Sequence, residues 1–158
     1  MRRFLLTKPL TVLLSLLCAA TLSPVFVVAA HAAALQSELK VISGQGEGDV
    51  LVSPTAENKP TFAVEIQVNV QHMLPNSNFM VERRVDTPPN SILGDCTSTT
   101  LIFTGYITTL ANGAGAEHFE VERGMPFNSG VSFDVQFLVI GIGNNTELQS
   151  ECMTVTVK

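Results

Sequence analysis

Cys96 and Cys152, His72 and His118, and the glutamates at 117, 120 and 122 are the side chains of this 158-residue chain with types and spacings capable of chemistry. Nucleophilic catalysis by Ser or Cys needs a histidine base with an orienting carboxylate, and no Gly-x-Ser-x-Gly elbow is present. Glu117, Glu120 and Glu122 offer carboxylates of the kind that cleave glycosides, but strand alternation places Glu120 and Glu122 outward on a solvated edge with no cleft. Gly44-x-Gly46-x-Gly48 lacks the strand-before, helix-after context and the spacing of a dinucleotide fingerprint, and reads as a flexible turn. No catalytic residue is assigned, and no cofactor is expected.

His72, His118 and Glu120 give the alternative, a metal site. His118 and Glu120 lie two apart on one face of a strand, and Met73, Met80 and Met125 supply soft ligands suited to copper. His72-Met73 resembles the His-Met pair of periplasmic copper chaperones of cupredoxin-like fold, in which a His-x-Met follows later. Here His118-Phe119-Glu120 stands in that place.

The elements that position these residues lie within residues 33–158. Arg2, Arg3 and Lys8 precede an apolar run from Pro9 to Ala30 that ends Ala30-His31-Ala32, the pattern of a secretory signal peptide cut after residue 32. An uncleaved anchor is the rival reading, since the run is just long enough to span a bilayer, but Pro24 and the small residues near its end favour cleavage. The mature chain is then one exported domain, periplasmic or extracellular, with no membrane attachment.

Losing three basic residues and none of the 14 acidic ones moves the formal charge from −5 to −8. Such a surface excludes nucleic acid, which needs clustered Lys and Arg. Cys18 leaves with the signal, so Cys96 and Cys152 remain as an even pair bound for an oxidising compartment, and a disulfide between them is expected.

Within the mature chain apolar residues alternate by two, and no helical period is sustained. Phe62 to Val70 and Val131 to Val139 are the clearest strands, with apolar rows that should meet across one core. Weaker strands are expected over 79–86, 99–110, 117–123 and 148–157, and 38–42 can pair with 50–53 at a sheet edge. Seven to eight antiparallel strands with turns between them resemble an immunoglobulin-like or fibronectin-type β-sandwich. In that architecture the turns carrying Leu74, Pro75, Asn76 and Ser77, Asn112 and Gly113, and Gly141, Asn144 and Asn145 emerge at one end. They are the candidate interaction loops, for an unidentified protein or cell-envelope partner.

Overall fold

The structure, a computed structural model, describes residues 34–54, 62–87, 93–124, 127–128 and 130–157. The signal segment, Pro88-Pro89 and Met125 lie outside the described residues. Among the described residues every regular element is a strand: β1 (Leu35–Ser43), β2 (Glu47–Pro54), β3 (Phe62–Gln71), β4 (Asn78–Asp86), β5 (Ile102–Thr108), β6 (Gly115–Arg123), β7 (Ser132–Gly141), β8 (Glu147–Ser150) and β9 (Met153–Thr156).

All ladders are antiparallel and run through one sheet in the order β5-β4-β7-β8-β1-β2-β3-β6, with β9 on the free half of β7. The ladder passes without a break from β8 to β1. The described strands thus form one continuous sheet, nearly barrel-shaped, with its opening between β5 and β6. There Gly105 lies against the ring of Phe119, and any larger residue would collide with it. Rolling the sheet leaves only two full-length edges, which is the physical gain of near-closure.

β3 and β7 supply the main rows of the core, with apolar residues at every second position, although Ala63, Asp134 and Leu138 are buried out of phase. Val64, Ile66, Val68 and Val70 face Val135, Phe137 and Val139 within one core that also takes Leu39, Val50, Phe79 and Leu148. At one end of it, Phe62, Phe127 and Phe133 pack ring to ring, with Phe133 meeting Phe62 and Phe127 edge-on at 5.5 and 4.8 Å.

Two expectations are corrected. The β1–β2 pair is not at an edge, because β1 also pairs with β8, leaving β5 and β6 as the sheet's ends. The last strand is split at Glu151-Cys152. At the break the Phe137 amide donates to Ser150 Oγ and the Glu151 amide to Ser37 Oγ, each at 2.9 Å. Serine hydroxyls thus replace the ladder carbonyls where Cys152 joins Cys96, with the two Cα atoms 5.6 Å apart. The expected disulfide is present and spans 56 residues.

Candidate functional site

The three candidate loops meet at one end of the barrel and are tied to each other. Thr109, buried just after β5, organises the contact: its amide donates to Ser77 O at 2.9 Å and its hydroxyl to Leu74 O at 2.6 Å. In return the Ser77 amide donates to Thr109 Oγ1 at 3.0 Å. The Met73 amide reaches Gly113 O at 3.1 Å and the Asn76 amide reaches Leu110 O at 3.3 Å. The third loop joins at its start, where the Ile142 amide donates to Asn78 O at 3.0 Å.

Local chemistry shapes each turn. Asn76 adopts φ +50°, a left-handed conformation that asparagine tolerates better than most residues. Asn112 Oδ1 accepts the Ala114 amide and Asn144 Oδ1 accepts the Thr146 amide, the short side-chain turns for which asparagine is suited. Asn144 also fills the space over Gly141, where a Cβ would strike its amide group. Ser43 Oγ donates to Asn145 O at 2.6 Å and fastens the third loop to the end of β1.

A fourth turn belongs to this end. Residues 44–46 link β1 to β2, with Gly44 at φ +76° and Gly46 at φ +120°. Gln45 Nε2 donates to His72 O at 3.2 Å, and the missing side chain of Gly46 makes room for the buried Met73 sulfur. Neither Thr109 nor this turn stands out in the sequence as part of a site. Both act across loops, and periodicity within a segment carries no trace of that.

Leu110 and Ile142 are exposed among these turns, and Val41 and Ile42 at the neighbouring end of β1 are exposed as well. The end therefore combines a hydrogen-bonded backbone with apolar side chains directed at solvent.

The metal-ligating candidates are not brought together. His72, at φ +57° where β3 ends, pairs its Nδ1 with Glu47 Oε1 at 3.0 Å. His118 stands opposite Gln67 on the outer face of β6, five residues of β3 away from His72, a span of roughly 17 Å. It approaches Glu65 Oε2 at 3.7 Å, and Glu65 is the cross-strand partner of Glu120. Met73 is buried under the turns, while Met80 lies on the outer face of β4 opposite Tyr106. Among the described residues no group of three His, Cys, Asp or Glu side chains is arranged to hold a metal ion.

Lys40 and Glu151 pair at 2.6 Å across the β1–β8 junction, a contact that raises the lysine pKa and lowers that of the glutamate. Arg83 faces inward from β4 and is only 5% exposed. Burial, then the charge of Arg123, lowers its pKa to about 10. Its Nη1 donates to Thr104 Oγ1 at 2.7 Å, beside an apolar recess of about 40 Å³ at the barrel end opposite the loops.

No protein-family model and no curated protein matches the chain.

Proposed function

We propose that the mature chain is an exported, non-enzymatic interaction domain that presents the loop end to a protein or cell-envelope partner. The observation carrying this reading is the locking of four turns, 44–46, 72–77, 109–114 and 142–146, by hydrogen bonds between loops. A surface whose backbone is fixed beforehand loses little conformational entropy on binding, and exposed Leu110 and Ile142 give it apolar anchors. In this reading the fold is an immunoglobulin-like sandwich with halves β1-β2-β3-β6 and β8-β7-β4-β5 stitched together at β1–β8. The signal pattern and the disulfide both suit an oxidising compartment.

The test is capture from the native exported fraction by wild type and by a Leu110→Glu, Ile142→Glu double variant with an unchanged melting temperature. The wild type should retain a partner that the variant loses. Equal capture by both would move the interaction off this end.

A further inference from the structure

The recess at the barrel end opposite the loops is walled by apolar side chains at every position but two. Phe62 and Val64 of β3, Val121 of β6, Phe127 and Phe133 give it hydrocarbon walls, and the two exceptions are Arg83 of β4 and Arg123 of β6. Residues 33–158 contain only six Lys and Arg, so two of the few cations of an acidic domain share one apolar hollow.

Nothing in the wall balances them. No Asp or Glu lines the recess, and among the described residues no carboxylate pairs with either guanidinium. The hydrogen bonds of Arg83 to described residues leave from Nη1 alone, to Thr104 Oγ1 at 2.7 Å and Phe103 O at 3.5 Å, and both acceptors are neutral. A guanidinium carries five N–H donors in a planar fork, so most of them are left over. Arg83 keeps its proton at neutral pH even with its pKa lowered to about 10, and the share of that lowering due to Arg123 shows that the two charges sense each other. Two buried or half-enclosed cations without a counter-ion cost stability, and an anion seated between them would recover it.

We propose that this recess binds a monocarboxylate with a short apolar chain, its carboxylate bridging Arg83 and Arg123 and its chain packed on Phe62, Phe127 and Phe133. Arginine takes a carboxylate through two parallel N–H···O bonds, and a low-dielectric wall strengthens them. The chain is required because the remaining wall offers no donor. Phosphate or sulfate would set its further oxygens against valine and phenylalanine side chains unpaired. The volume of about 40 Å³, a few times what one water needs, fits a short chain better than a long acyl tail. The net negative charge of the domain does not bar a small anion, since salt screens exposed charges beyond about 8 Å and the walls themselves hold no acid.

Calorimetric titration of the mature chain with hexanoate, hexanol, acetate and inorganic phosphate tests this. Hexanoate should bind saturably, one per chain, and about tenfold or more tighter than each of the other three, which lack the charge, the chain or both features in one molecule. Arg83→Met, which removes a buried charge, should weaken hexanoate by about tenfold or more without lowering the melting temperature. Arg123→Gln, an exposed change, should weaken it by a smaller factor, and the Leu110→Glu, Ile142→Glu variant of the loop end should bind it as wild type does. No saturable binding of hexanoate, hexanol or phosphate binding as tightly as hexanoate, or hexanoate affinity unchanged in both Arg83→Met and Arg123→Gln would each overturn the proposal.

Discussion

Asp86 and Asp134 stand directly opposite each other across the β4–β7 ladder, and both hold the same stretch of chain. Asp134, fully buried, accepts the Gly94 amide at 2.7 Å and the Asp95 amide at 3.4 Å on one oxygen, and the Thr154 hydroxyl at 2.6 Å on the other. Asp86 accepts the Ser98 amide at 2.9 Å. Two facing carboxylates repel, so the pairing persists by turning both toward donors from the segment that carries Cys96.

Removing one acceptor strands several donors at once. Asp134→Ala should cost about 1–3 kcal/mol, because the Thr154 hydroxyl and the Gly94 amide lose an acceptor that is itself buried, in bonds that are part-buried. Asp86→Ala, which releases one recorded bond, should cost less. Denaturant titration of both variants gives the comparison.

Reduction of Cys96–Cys152 should destabilise the domain by about 2–5 kcal/mol, read from thermal melts with and without reductant. The disulfide and the two aspartates hold one segment. Their losses should therefore be non-additive, and a Cys96→Ala, Asp134→Ala cycle should show a coupling of about 0.5–3 kcal/mol.

Arg83→Met should leave stability at neutral pH unchanged or raise it by about 1–4 kcal/mol, since a buried charge is replaced by an apolar chain of similar length. The pH dependence has a definite sign. With its folded pKa lowered to about 10, well below the ordinary arginine value, Arg83 gives up its proton more readily folded than unfolded. The unfolded chain then binds more protons above pH 10, and stability rises with pH through that window. Wild type should gain on Arg83→Met between about pH 10 and 12, with a constant difference below; denaturation at stepped pH measures it.

Gly113→Ala should destabilise the domain by roughly 1–3 kcal/mol and loosen the loop end, seen as faster amide exchange at Met73 and Thr109. Gly113 sits at φ +76°, and a Cβ there would run into the Met73 carbonyl.

The strands were legible in the sequence where one face is wet and the other dry. Phe62 to Val70 and Val131 to Val139 announce themselves by alternation, and their bounds fall within two residues of the observed ones. Convergence of the three turns at one end also followed from alternating strand direction. Illegible were the relationships between distant segments. Nothing local marks Val41 opposite Leu148, so β1 was read as half of an edge pair instead of the seam that joins the sheet to itself. The split at Glu151-Cys152 is marked only by a change of phase, Leu148 at an even position and Met153, Val155 and Val157 at odd ones, and the bonding that makes the break comes from Ser37 and Ser150 as neighbours in space. Arg83 reads as one polar residue in an apolar row. Its partner once buried, Thr104, lies on another strand.

The seam between β1 and β8 also sets an order of events. Its contacts join residues more than a hundred positions apart, Lys40 to Glu151 and Ser37 to Glu151 being separated by 111 and 114. Such ladders close late, because the loop entropy must be overcome before any contact rewards it. Until residues 147–150 arrive, β1 has only β2 beside it, and Cys96 waits for Cys152 just beyond them. A chain built this way closes its ring and its covalent clasp together, when residues 147–152 reach β1 and Cys96.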